Sequence, residues 1–285
     1  MRQAFFWITD RSIIKVTGKD SKTFLDRILT NDILNLGAGK GCHTCLCSNK
    51  GKVLADFYVY AFLDHLVMNC DVSLKDKILS ELQRYIIMED IQFEDVYNQH
   101  QGLILIGEDI SEVLRENSAH EWSHFKKRWG YPALEIWAKP NALTPFVQKL
   151  SWPLLSPEEQ EECRIESMTP KYGIDITEEN IPQEANLYDA ISFTKGCYIG
   201  QETIARLQNR GHVNKTLVLF KLSGNAVPKP NTKITLENGE EAGFVTSSIF
   251  SKKFQAVISM GYVKYLYRQE TAFKINSYKA ERIAC

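Results

Sequence analysis

Residues 41–61 read GCHTCLCSNKGKVLADFYVYA. Two runs of strand-forming residues, 41–48 and 53–61, flank the turn signal Asn49-Lys50-Gly51, the pattern of a β-hairpin. A hairpin makes its strands antiparallel neighbours, whereas parallel strands need a crossover of a dozen or more residues. Outward from this hairpin, residues 12–17 read as a strand, and Gly18 leads into a helix with Phe24, Leu25, Ile28 and Leu29 on one face. A short strand is expected at 66–69, followed by an amphipathic helix marked by Leu74, Ile78, Leu79 and Leu82. Further strands are expected at 91–96, 103–106 and 133–138, with helices at 110–116 and 157–166. Hairpin-linked strands interspersed with helices define an α+β fold, not a doubly wound parallel sheet.

From Lys215 the pattern changes to short strands at 216–222, 234–236, 243–248, 256–260 and 271–275, with turns at Pro228-Lys229-Pro230 and Asn238-Gly239. Almost no helix is expected there, which is how a small β-barrel or sandwich reads. The expected division is residues 1–210 and 211–285. Charge supports a boundary in this region: residues 1–205 carry 21 Lys and Arg against 30 Asp and Glu, and residues 206–285 carry 13 against 5. The basic segment could meet an acidic partner or nucleic acid, or the two regions could simply present solvated faces that attract each other. No basic motif interleaved with aromatics is present, so direct nucleic-acid binding is not expected.

At 285 residues, 44% hydrophobic and 24% charged, with a formal net charge of −1, the chain has the proportions of a globular protein and not of a disordered or fibrous one. Its longest apolar runs, 4–8 and 102–107, fall far below the ~20 residues of a membrane-spanning helix. The first residues lack the apolar region of a signal peptide and the Arg/Ser-rich character of a transit peptide, so a cytoplasmic location is expected. Seven cysteines, an odd number, do not suggest a disulfide framework in that compartment.

The stretch densest in potential chemistry is Lys195-Gly196-Cys197-Tyr198-Ile199-Gly200-Gln201-Glu202-Thr203-Ile204-Ala205-Arg206. Gly196 permits a tight turn, and 200–206 reads as the opening of a helix. Cys197 would then lie just before a helix N-terminus with Lys195 beside it, and both features favour a thiolate. The same cysteine could equally be a small hydrophobe buried at a turn.

This run resembles the signature of the YgfZ family of folate-binding proteins, relatives of the glycine-cleavage T-protein (GcvT), an aminomethyltransferase. Further resemblance lies in 16–20 with Phe24-Leu25, Thr30-Asn31-Asp32, 50–57, Arg164-Ile165-Glu166, 172–175 and 181–187. It covers most of the chain and is weakest over 97–160. The resemblance implies a GcvT-like α+β region that binds tetrahydrofolate, with mixed and antiparallel sheets, followed by a C-terminal β-barrel. It also implies a role in assembling or repairing iron–sulfur clusters in client enzymes, including radical enzymes that modify tRNA, and so iron–sulfur assembly or client proteins as partners.

In T-proteins an aspartate on the strand after the hairpin approaches the folate amine, with a tyrosine four residues on; Asp56 and Tyr60 occupy the matching positions. Many YgfZ proteins lack this carboxylate, so its presence leaves one-carbon transfer open. Residues 56, 58 and 60 share a face of the expected strand, and a carboxylate on a mostly apolar strand needs a partner; the alternative is an edge-strand Asp facing water. Glu184 matches the T-protein glutamate that reads the pterin ring, or else is a helix N-terminal Glu after Pro182. Arg164 and Glu166 line the same cleft or form a surface pair worth ~0 to 1 kcal/mol. Lys195 is a further folate contact, and Arg206 either meets the anionic tail of folate or is a solvated helix charge.

Two patterns carry less. His120-Glu121-Trp122-Ser123-His124 matches H-E-x-x-H, which on a helix binds zinc. However, Phe125-Lys126-Lys127-Arg128 follows where such a helix should stay apolar, and no third ligand stands out. In Cys42-His43-Thr44-Cys45-Leu46-Cys47, Cys45 and Cys47 share one strand face and Cys42 the other, poor geometry for one metal. No metal site is therefore expected. Three functions remain: a folate-binding YgfZ-like protein with Cys197 as its reactive thiol, a folate-dependent aminomethyltransferase-like enzyme using Asp56, and an interaction module docking a client through its basic barrel.

Overall fold

The computed structural model describes residues 3–108, 110 and 121–283; the expected helix over 110–116 lies outside these residues save for Ile110. The chain forms two compact units from segments that alternate along the sequence. One holds Met1–Cys47, Leu54–Ser156 and Asp189–Ile199, and the other Ser48–Val53, Pro157–Tyr188 and Gly200–Cys285.

The first unit contains two sheets. Strands β2 (Arg11–Thr17), β3 (Gly41–Cys47), β4 (Val53–Ala61), β5 (Leu66–Asp71) and β6 (Gln92–Asp95) form a five-stranded sheet in the order β3-β4-β5-β2-β6. Helix α1 (Ser21–Ile28) buries Phe24, Leu25 and Ile28, as the spacing predicts, while Leu29 is already extended. Helix α2 (Lys75–Gln83) buries Ile78 and Leu82. The hairpin strand β4 lies between β3 and β5, so Asp56 is on an interior strand, not an edge.

The second sheet runs β1-β7-β9-β8, from β1 (Ala4–Ile8), β7 (Gln101–Ile106), β8 (Trp122–Arg128) and β9 (Tyr131–Ala138); the short helix α3 (Thr144–Lys149) follows. Two of these strands depart from the sequence reading. The run 4–8 is a strand paired antiparallel with β7. Residues 122–128 are a strand paired with β9 from Trp122↔Trp137 to Arg128↔Tyr131, so the helix that H-E-x-x-H requires is absent there. Glu121 instead meets His100 Nε2 at 2.6 Å, and His120 lies outside the described residues. The charged alternation of 125–128 is a half-exposed strand's, while Trp122 stacks on Trp137 at 5.3 Å. Both tryptophans join Ile13, Tyr60, Val67 and Val96 in one cluster, which ties the two sheets together. Each large side chain so buried contributes about 1.5–3 kcal/mol.

The second unit is built on a closed barrel, β10-β13-β12-β11-β14-β15, from β10 (Lys215–Leu222), β11 (Lys233–Thr235), β12 (Glu241–Ser251), β13 (Ala256–Lys264), β14 (Ala272–Ile275) and β15 (Tyr278–Ile283). The sequence does not announce β15. It closes the barrel through pairs such as Leu219↔Ile283 and Leu222↔Ala280, leaving no free edge. Phe220 and Phe273 meet edge to face inside it at 5.3 Å. Helix α4 (Pro157–Glu166) packs Ile165 against Leu217, Leu219, Ile258 and Met260, which is why this earlier segment belongs with the barrel. Helix α5 (Gln201–Arg210) follows an N-cap at Gly200. No helix among the described residues is long and apolar enough to cross a membrane.

Candidate functional site

The even-numbered face of β4 carries Asp56, Tyr58 and Tyr60. Asp56 Oδ2 accepts a hydrogen bond from His43 Nε2 at 3.0 Å, and Nδ1 of the same ring lies 3.2 Å from Asp189 Oδ2. The imidazole stacks on Tyr58 at 4.8 Å with 14° between the planes, and Tyr58 lies parallel to Tyr60 at 6.2 Å. Burial opposes a charge on His43, but the hydrogen bonds and charges of Asp189 and Asp56 outweigh it and push the ring up to about 9. At neutral pH it is an imidazolium donating from both nitrogens. His43 entered the sequence reading only as part of a rejected metal cluster; the signal that could have found it is its place on β3, the strand beside β4.

Tyr60 points into a buried polar network and not toward an open site. Its hydroxyl donates to Glu135 Oε2 at 3.2 Å. Glu135 also accepts from Trp137 Nε1 at 2.6 Å, from Asn69 Nδ2 and from Lys126 Nζ. Arg11 Nε in turn donates to Asn69 Oδ1 at 2.8 Å. Burial pushes the Glu135 carboxyl up, but Lys126 and the other donors overcome it and hold the group well below its usual range. The Lys126 ammonium also lies 4.6 Å over the Tyr58 ring. Arg128 packs against Phe6 and Trp129, and its buried Nε has no hydrogen-bond partner. A lone Glu within the apolar run of β9 was the sequence's clue to this network.

Cys197 is exposed, in a loop three residues before the N-cap of α5. The expected pairing of its thiol with the Lys195 charge does not form. Lys195 Nζ donates to the carbonyls of Asp26, Leu29 and Asn31 at 2.5, 3.0 and 2.7 Å and lies 3.0 Å from Asp26 Oδ1. Its three donors are thus spent, and the side chain is 1% exposed, which leaves no N–H for the thiol or for folate.

The other expected site residues lie in the second unit. Arg164 does not pair with Glu166: it binds Asp175 at 2.6 Å, Glu161 at 2.7 Å and Ser247 Oγ at 2.9 Å, while Glu166 accepts from Ser251 Oγ at 2.5 Å. Glu184 is buried and accepts from Ile181 N at 3.2 Å, at the start of the 3-10 turn Pro182–Ala185, the role of a helix N-terminal Glu. Arg206 is exposed on α5. No group of three or more His, Cys, Asp or Glu suited to a metal occurs among the described residues.

The fold and these motifs place the chain in a known class. Residues 6–131 match the GCVT N-terminal domain, and residues 215–285 match the glycine cleavage T-protein C-terminal barrel domain. The chain belongs to the glycine-cleavage T-protein family. It is 26% identical to an aminomethyltransferase of Caldanaerobacter subterraneus over 93% of this chain and 78% of that protein. It is 30% identical to the tRNA-modifying protein YgfZ of Hamiltonella defensa over 81% of this chain and 73% of that protein. The crystal structure of the glycine cleavage system aminomethyltransferase T from Bartonella henselae superposes with a TM-score of 0.88 at 18% identity, covering 100% of this chain and 85% of that one. That likeness establishes the GcvT-like fold.

Proposed function

We propose that this chain is a YgfZ-type tetrahydrofolate-binding protein that supports assembly or repair of iron–sulfur clusters in client enzymes, tRNA-modifying radical enzymes among them. The folate amine faces Asp56, and Cys197 is the thiol offered to client or cluster. The observation that carries the reading is the half-buried Asp56 on the β4 face, held by His43 beside the flat surface of Tyr58. Similarity to YgfZ proteins supports it further.

The first unit's donor set fits a reduced pterin. Asp56 supplies an acceptor for an amine N–H, and Arg128 supplies a buried donor lacking a partner. When bound, tetrahydrofolate supplies a carrier for a one-carbon group. Asp56 orients the amine, Tyr58 stacks on the His43 ring that holds Asp56, and the Lys195 cage holds the loop that presents Cys197.

The experiment is an anaerobic calorimetric titration with tetrahydrofolate, repeated with Asp56→Ala and Glu184→Ala. Saturable binding weakened by Asp56→Ala is expected, and no binding by the folded protein would remove folate from the account. For the thiol, Cys197→Ser should fail to restore iron–sulfur enzyme activity in a strain lacking this protein. The presence of Asp56 also favours a second reading, an aminomethyltransferase-like one-carbon transferase. It requires an Asp56-dependent product from methylene or formyl folate with candidate acceptors.

A further inference from the structure

His43 bridges two carboxylates that differ sharply in exposure. The Asp56 side chain is 18% exposed and the Asp189 side chain 69%. Only Oδ2 of Asp56 is engaged; its Oδ1 has no hydrogen-bond partner among the described residues. One oxygen of the site carboxylate is therefore held by His43, and the other is left as an acceptor.

We propose that His43 is a positioning residue of the candidate site: by donating Nε2–H to Asp56 and Nδ1–H to Asp189, it fixes Asp56 as an oriented acceptor for an amine N–H. The identity of that amine rests on the folate reading above; the pinning of Asp56 does not. The chemistry follows from the pair. A carboxylate whose Oδ2 accepts a charge-assisted hydrogen bond at 3.0 Å is held against rotation, so the direction of its Oδ1 is fixed as well. It remains a good acceptor in a fixed place.

Asp189 serves the same end from the solvent side. It holds Nδ1–H, so the ring keeps both protons and Nε2 always donates toward Asp56. Tyr58 fixes the ring plane by stacking, and the Lys126 ammonium lies 4.6 Å over the same phenol ring. The groups facing His43 are thus Asp56 and Tyr58 from β4 and Asp189 from the turn before the Cys197 loop.

Two measurements on the full chain test this. In histidine side-chain NMR, the His43 ring should carry protons on both nitrogens at pH 7.5 and titrate near 9. Asp56→Asn and Asp189→Asn should each lower that midpoint by about one unit or more. In tetrahydrofolate calorimetry, His43→Ala should weaken binding about tenfold or more, and His43→Gln, which retains an N–H donor, should recover part of it. Wild-type affinity should fall as pH rises through 9, and the His43→Gln profile should be flat there.

A His43 that titrates at the ordinary value of about 6.5 overturns the proposal. So does a folded His43→Ala protein that binds with wild-type affinity and pH profile. If the wild type binds no tetrahydrofolate, the folate reading fails by itself, and the NMR result alone decides whether His43 pins Asp56.

Discussion

Lys195 Nζ sits 3.0 Å from Asp26 Oδ1 and is closed in by the carbonyls of Asp26, Leu29 and Asn31. A lysine beside a cysteine in sequence has become the anchor of the loop and not the activator of its thiol. Lys195→Met keeps the apolar stem but strands the buried acceptors, each costing about 1–3 kcal/mol when unpaired. A loss of roughly 3 kcal/mol in urea unfolding is expected. Lys195→Arg should not rescue it, because a planar guanidinium cannot address three carbonyls converging on one point. Full stability in the Met variant would show that the cage does not hold the loop.

In the second unit, Asp175 is the hub: its carboxylate binds Arg164 Nη1 at 2.6 Å, Thr246 Oγ1 at 2.5 Å and Ser247 Oγ at 2.7 Å. Its side chain is 0% exposed and that of Arg164 8%. Asp175→Ala would leave a buried guanidinium without its counter-ion, which costs about 3–5 kcal/mol. Glu166→Ala removes one hydrogen bond, from Ser251, at a cost of about 1 kcal/mol. Denaturant midpoints should separate the two variants clearly; equal effects would mean that Arg164 is not a framework residue.

Much of this fold was legible because periodicity reports burial. The α1 stripe and the turn at Asn49-Lys50-Gly51 follow from local chemistry, and most barrel strands fall within a few residues of their expected places. The misses have physical causes. β8 carries Phe125-Lys126-Lys127-Arg128 because only one of its faces is covered, and a helical motif chanced to overlap its start. β15 has only Tyr278 and Ala280 as alternating apolar signals, and is held by its pairing to β10 and β14. For the site, a strand face brought Asp56 to view, but its partners His43 and Asp189 come from other segments. Asp175, which Arg164 meets from beyond its own helix, was equally invisible to spacing within that helix, whereas Glu161 stands three residues before it on the same one.

The His43 bridge makes stability depend on pH with a definite sign. Its folded value, about 9, lies above the unfolded value of about 6.5. The stabilisation is therefore complete below about 6.5 and is lost as pH rises through 9. The side chain is only 11% exposed, so the full effect is of order 3 kcal/mol. Urea midpoints of wild type and His43→Gln between pH 6 and 10 should converge as pH rises; a constant gap between them would sever the stabilisation from the imidazolium charge.

Thiol reactivity should single out Cys197. Cys45, Cys47 and Cys70 are buried, and Cys42 and Cys163 are partly so. Burial pushes Cys42, Cys47 and Cys163 up to about 12 and Cys70 to about 11, and it also raises Cys45 well above the ordinary thiol value. Since the thiolate is the nucleophile, these five should react slowly with an aromatic disulfide at pH 8, while the exposed Cys197 reacts fast. In a Cys285→Ser background, which removes the one cysteine outside the described residues, the native protein should release one fast equivalent, and Cys197→Ser should abolish it. Unfolding in denaturant should expose the remaining five. A fast equivalent that survives Cys197→Ser would place the accessible thiol elsewhere and remove the chemical basis for assigning this loop a role with clients.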